Sequence, residues 1–450
     1  MADLSFVKWS SWQGGIDDSN QKEGGQYFSA NVDVYRTPGY LAVADKLTKD
    51  VDDNDIGTFT EPIYWFVEDA NDIFALDSGG DVWKKDASTG WVNDATWPHA
   101  DGNTGSGQSM IKFGDDIFWT ANTTIGRIQT PTGTPTFTDS WQTGLTSADW
   151  HPMAIFLGKL MVGHGRNVGS WDGTTWTAQD LILPDGFITK SAAVIGDFVA
   201  FGCEATEGQD ARIFLWDGTS ATYNKEIHVK ETAVDALFTW SNILWVIAGS
   251  AANLHFYNGS TLQEVAKIAD VDVQGGDSVV VRPSGITQWR NRILIAVNTL
   301  SDLGDRVMPG IWAYDPVTGG FTFQFTLSTG VMNTSGNAVS VFNDGTNIYV
   351  GGTDTNTGAS SSTFVDKSGG SKYTETCWWT SPWIDTNVFA NKHMRKIYLN
   401  FREWPGAATD EIVVKYRVDD GVRRLNGNSE FTATGGSSNT VTVASTTGLQ

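Results

Sequence analysis

An all-β fold built from a repeated antiparallel unit is what this sequence predicts, and three observations carry the prediction. The 450 residues include 20 Trp, 23 Phe, 11 Tyr and 49 Gly, with only 18% charged residues, against roughly 25% in an average globular chain. No long stretch places apolar residues at helical spacing, and no apolar run is long enough to cross a bilayer. A short apolar run, a small polar turn and a second apolar run recur along most of the chain.

The clearest copy lies at residues 193–219. Ala193 to Ile195 and Phe198 to Phe201 flank Gly196 and Asp197, which is a β-hairpin signal. A third apolar run, Ile213 to Leu215, ends in Trp216, Asp217, Gly218 and Thr219, where Asp and Gly supply turn geometry that β-branched residues resist. Three strands and a turn make most of a four-stranded propeller blade. Seven such hairpins occur: Ile63–Val67 with Ile73–Leu76, Met110–Phe113 with Ile117–Trp119, Met153–Leu157 with Leu160–Val162, the pair just given, Ala236–Trp240 with Ile243–Ile247, Ile286–Trp289 with Ile293–Val297, and Val339–Phe342 with Ile348–Val350. Their turns are 38 to 54 residues apart, close to the ~40–50 residue period of propeller blades and longer than solenoid repeats. The closing turn also recurs, at Trp171-Asp172-Gly173, Tyr257-Asn258-Gly259 and Tyr314-Asp315-Pro316. The expected fold is therefore a β-propeller of about seven blades, within a range of six to eight, followed by a β-sandwich-like module.

The expected domains are an N-terminal arm with one or two strands (1–50), the propeller (51–370) and the C-terminal module (371–450). The Gly-, Ser- and Thr-rich residues 353–372 read as a loop or linker. A ring needs closing, and the strand near Tyr27 to Tyr35 or Leu41 to Val43 is expected to complete the last blade and seal its edge. In the C-terminal module, Tyr373 to Ile384, Arg395 to Arg402 and Glu411 to Val418 read as strands and Asp419-Asp420-Gly421 as a turn. Val441 to Val443 reads as a strand without a partner, so the module is expected to be completed by another subunit or by further residues.

The net charge of −22 argues against tight nucleic-acid binding, because an acidic surface repels phosphate. Cys203 and Cys377 are the only cysteines and read as buried thiols rather than a disulfide framework. Met1 to Phe6 lacks the basic and apolar regions of a secretory signal, which points to folding in a reducing cytosol.

Motifs for nucleophilic, zinc or phosphate chemistry are absent from the sequence. Gly163, Gly165 and Gly169 have the wrong spacing for a dinucleotide loop and no helix follows. Asp50, Asp52, Asn54 and Glu61 occupy positions 1, 3, 5 and 12 of a calcium-type loop, but Asp55 stands where that loop needs glycine. A solvated acidic loop is the preferred reading, with no cofactor or metal expected. Trp171, Trp216, Trp245 and Trp312 fall at repeat positions and should be core. Trp91, Trp97, Trp141 and Trp150 fall in loops and are the surface-binding candidates, since aromatic faces stack on sugars.

Two stretches resemble proteins of tailed-bacteriophage virions. Trp12, Gln13, Gly14, Gly15, Ile16 and Asp17, continuing to Asn31, Val32, Asp33 and then Pro38, Gly39 and Tyr40, is similar to the opening of tail nozzle and related tail proteins. Thr380, Ser381, Pro382, Trp383, Ile384 and Asp385, with Lys392 to Phe401 and Val414 to Gly421, resembles a β-module of phage minor structural proteins. The resemblance implies a non-enzymatic, propeller-bearing tail component, assembled in the host cytoplasm into a homo-oligomeric ring with other virion proteins. DNA would pass through a channel without sequence-specific binding, and no membrane insertion is expected. Two alternatives remain open, a virion propeller that binds host-surface glycans and a propeller glycosidase. The latter needs paired carboxylates at the ring centre.

Overall fold

The structure is a computed structural model that describes residues 12, 15–16, 25–26, 28–36, 41–50, 59, 61–88, 90–103, 109–206, 208–268, 279–299, 309–328, 336–354, 362–372, 377–380, 411–417 and 438–444. All seven expected hairpins form the first two strands of a sheet. They are Ile63–Asp69 with Asp72–Asp77 (blade 1), Ser109–Phe113 with Asp116–Ala121 (blade 2), Met153–Phe156 with Lys159–His164 (blade 3), Phe187–Ile195 with Phe198–Ala205 (blade 4), Val234–Trp240 with Ile243–Ala248 (blade 5), Ile286–Trp289 with Arg292–Thr299 (blade 6), and Gly336–Asn343 with Ile348–Asp354 (blade 7). Two more antiparallel strands extend each sheet, and in blade 6 Val279–Val280 adds a fifth by pairing with Arg292–Thr299. The first strand of each blade packs against that of the next, and Gly336–Asn343 packs against Ile63–Asp69, so the ring closes. The fold is a seven-bladed β-propeller.

Inner-strand hydroxyls help to lock this ring. Ser109 Oγ of blade 2 donates to the carbonyl of His151, Ser191 Oγ of blade 4 to Val234 O (3.2 Å), and Ser340 Oγ of blade 7 to Ile63 O (2.6 Å), each acceptor lying at or near the start of the next blade's inner strand. Glycine faces two of these hydroxyls. A Cβ on Gly202 or Gly351 would collide with the serine and with the neighbouring blade. The hydrophobic core is correspondingly divided into seven clusters, one in each space between adjacent blades. Bulky residues such as Trp119, Trp216 and Trp312 fill these spaces and are fully buried, as is Trp245 almost completely. Trp171 departs from its expected burial and is half-buried, edge-on to Trp141 at 4.9 Å.

The recurring Asx-Gly turn links the third and fourth strands. Asp217 Oδ1 accepts from the backbone N–H groups of Thr219 (2.9 Å) and Ser220 (2.7 Å), and Asp172 and Asn258 repeat this bonding. Gly173, Gly218 and Gly259 all have positive φ, which is why glycine follows the Asx residue.

Blade 7 corrects two expectations. Ser362–Lys372, within the expected linker, is its third strand, because Phe364 and Val365 are buried on its two opposite faces, a signal that the surrounding Gly and Ser obscure. Its fourth strand is Asp45–Lys49, not Tyr27 to Tyr35 or Leu41 to Val43. Only Leu47 of that strand is fully buried; its polar neighbours hid it in the sequence. Val32–Asp33 instead pairs with Ala42–Val43.

The N-terminal segment is latched to blade 6. Tyr35 donates its hydroxyl to Gly320 O (3.1 Å), Thr326 donates to Asn31 Oδ1 (2.7 Å), and the Arg292 guanidinium stands over the Tyr35 ring and 3.6 Å from Asp33 Oδ1. Asp33 Oδ1 also caps the N–H groups of Tyr35 and Arg36. Next to this latch, Phe28–Ala30 pairs antiparallel with Trp378–Thr380, and Trp12 meets Trp379 edge-on at 4.7 Å. Cys203 is buried in the core between blades 3 and 4, whereas Cys377, expected buried, is half-buried.

Residues 385–450 form a separate unit. Its described part is an antiparallel pair, Glu411–Arg417 with Ser438–Ala444, in which Val414 faces Val441. Val441 to Val443 thus has a partner within the chain, one that a long connection concealed. Arg395 to Arg402 and Asp419-Asp420-Gly421 lie outside the described residues.

Candidate functional site

The inner strands enclose an axial cavity of about 220 Å³. Its wall is mostly apolar, with Trp65 and Phe66 from blade 1, Met153 from blade 3, Leu237 and Phe238 from blade 5, and Val341 and Phe342 from blade 7. Phe66 and Phe342 stack at 6.0 Å across the junction of blades 7 and 1. This follows from the strand pattern, since inner strands stand close together and their axial side chains meet. Polar side chains among the described lining residues are Ser191, Ser284, Thr287 and the indole N–H of Trp65, and none of the described lining residues carries a carboxylate.

Above the cavity, on the face where the inner strands begin, three side chains converge. Tyr64 precedes Trp65, Trp150 lies two positions before Pro152, and Arg282 precedes Pro283; the residues they precede all line the cavity. The Arg282 guanidinium lies 4.0 Å from the Tyr64 ring centre and 5.4 Å from that of Trp150, with the two rings 6.2 Å apart. Burial pulls the Arg282 pKa below its ordinary value, opposed by Tyr64. Arg282 Nε and the neighbouring Ser284 Oγ are buried without a hydrogen-bond partner among the described residues. Chemically, the arrangement is a chamber with aromatic and polar wall groups and, beside the residues that open it, the desolvated Arg282 cation.

Comparison with known proteins bears on the fold. No protein-family model matches the chain, and no curated protein matches its sequence. Among solved structures, the extracellular domain of BT4673 from B. thetaiotaomicron is similar in two crystal structures, each with a TM-score of 0.50, at 12% and 11% identity. Each match covers 72% of this chain and about two-fifths of that domain. The computationally designed Ika8 protein matches with a TM-score of 0.45 at 13% identity, over 71% of this chain and 99% of that one. These likenesses concern the fold alone.

The sequence-predicted residues do not assemble into one site. Asp50 Oδ2 accepts hydrogen bonds from Lys85 Nζ and from Trp91 Nε1 (3.0 Å), and Glu61 accepts from Ser78 Oγ at 3.0 Å. Asp52 and Asn54 lie outside the described residues. No group of His, Cys, Asp or Glu suited to a metal ion occurs among the described residues. Trp91 and Trp97, expected at the surface, are each only 4% exposed. The physical reason is a set of ring contacts that covers them: Phe59 on Trp91, and Phe74 and Phe137 on Trp97. Trp141 is half-buried against Phe118 and Trp171. Trp150 remains half-buried at the cavity rim and is the one candidate that the structure brings to the axial site. Tyr64, Arg282 and Ser284 were not singled out by sequence reasoning. A proline shortly before an inner strand, as at Pro62, Pro152 and Pro283, was the available signal.

Proposed function

We infer that this chain is a non-enzymatic structural component of a phage tail that assembles with copies of itself into a ring. The observation that carries the reading is the ladder between Phe28–Ala30 and Trp378–Thr380, backed by Trp12 on Trp379. It joins a segment within the first stretch that resembles tail proteins to the residues that lead into the second, from opposite ends of the propeller sequence. The ladder lies outside all seven blades, with Trp12 packed against the core between blades 6 and 7, and so places an extra surface beside the ring for a neighbouring copy. Among the described residues that line the cavity none carries a carboxylate, which favours this reading over a glycosidase that works at the ring centre. Burial of Trp91 and Trp97 removes half of the proposed glycan-stacking surface.

The propeller's own cavity is too small for a nucleic-acid strand, so a DNA channel on this reading lies between copies. The acidic net charge would let DNA pass without adhering. Mass spectrometry of purified particles from the phage that encodes the chain, together with immunogold labelling, tests the assignment. Detection at the tail in multiple copies per particle is expected, and absence from the particle would overturn it.

A further inference from the structure

We propose that the axial cavity binds a small aromatic carboxylate, with the ring inside the chamber and the carboxylate on Arg282. This site is independent of the assembly role. Three observations lead to it.

The first is size. A cavity of about 220 Å³ exceeds the ~150 Å³ that holds benzene in an engineered protein core and falls below the roughly 300 Å³ at which drug-sized pockets begin. One substituted ring fits. The second is lining. Phe66, Phe238 and Phe342 offer aromatic faces and edges, and Met153 a polarizable, adaptable thioether.

The third is the cation. The Arg282 guanidinium stands over the Tyr64 ring with Trp150 on an adjacent side, and its Nε–H edge is left for an in-plane acceptor. No carboxylate forms an ion pair with it among the described residues, and its Nε–H is buried without a partner. A desolvated cation in this state is costly unless an anion completes it. Ser284 Oγ, also buried and unpartnered, stands two residues away in the wall and supplies a second polar contact. A planar carboxylate suits this edge, because bidentate pairing needs only one edge of the fork.

Calorimetric titration of the full chain with phenylacetate and with its neutral analogue phenylacetamide tests the proposal. The acid is expected to bind roughly tenfold or more tightly than the amide, as for loss of a charge-assisted hydrogen bond. Arg282→Met should abolish this preference while leaving amide binding in place, and Arg282→Lys should restore part of it. Ala192→Leu, which fills the cavity, should remove binding of both. Thermal melting of each variant confirms that it is folded, and the acid-to-amide ratio in the unaltered protein stands whatever the variants do. Equal binding of acid and amide, no binding of either at millimolar concentration, or an acid preference retained in folded Arg282→Met would each overturn the proposal.

Discussion

Single residues in this protein are fixed by what lies across the gap between strands. Gly126 faces the indole of Trp119, and a Cβ there would stand inside that ring. Gly126→Ala should therefore cost about 1–3 kcal/mol by overpacking. Gly102→Ala, at a position with nothing within 4 Å, should leave the melting temperature unchanged. Thermal denaturation of the two variants side by side measures the contrast.

Asp366 gives a residue-scale test through pH. It sits opposite Lys49 in the seam of blade 7, and its carboxylate accepts from the backbone N–H (2.7 Å) and hydroxyl of Ser328. Burial outweighs these bonds and pushes its pKa up to about 6. Between about pH 4 and 6 the folded chain then binds a proton that the unfolded chain does not, so this group's contribution is greatest below pH 4 and is lost as pH rises through 6. Asp366→Asn cannot titrate. Relative to the variant, the unaltered protein should gain on the order of 1 kcal/mol between pH 6 and 5. Denaturant melts of both proteins at the two pH values check the sign, which other titrating groups leave untouched because both proteins share them.

At the scale of elements, the hairpins were legible because each inner strand and its neighbour carry an apolar run long enough to stand out from the turn between them. The strands that failed to stand out are those with few apolar residues. Asp45–Lys49 offers Leu47 alone, and Ser362–Lys372 hides Phe364 and Val365 among small polar residues. The axial site was illegible for a different reason. Tyr64, Trp150 and Arg282 belong to three blades far apart in sequence, and only closure of the ring brings them together. Trp91 and Trp97 look like loop residues and become core because Phe59, Phe74 and Phe137 fold over them.

The seam strand has a measurable role at this scale. Leu47 is fully buried with Leu294, Val341 and Ile348 between blades 6 and 7. Leu47→Ala should cost about 2–5 kcal/mol, the range for truncating a core leucine. Limited proteolysis reads the same point, because the variant should release the segment before residue 50 earlier than the unaltered chain. Simultaneous release from both proteins would mean that the strand does not hold the seam.

For the whole molecule, the propeller is a ring stabilised between neighbours, with seven inter-blade clusters and no single centre. Closure by an N-terminal strand ties the beginning of the chain to its last blade, and the Phe28–Ala30 ladder then ties it to Trp378–Thr380. That ladder joins a segment before the first blade to one after the last. On the proposed assembly, a contact between this patch and a different surface of the next copy would be heterologous, and a heterologous contact generates rings when its rotation closes.

The most direct measurement is sedimentation velocity of the purified full chain over a concentration series, with electron-microscope imaging of the same samples. The account predicts mass-action growth into closed rings of propellers with a fixed number of copies. A single monomeric species at every concentration, with isolated propellers in the images, would contradict it.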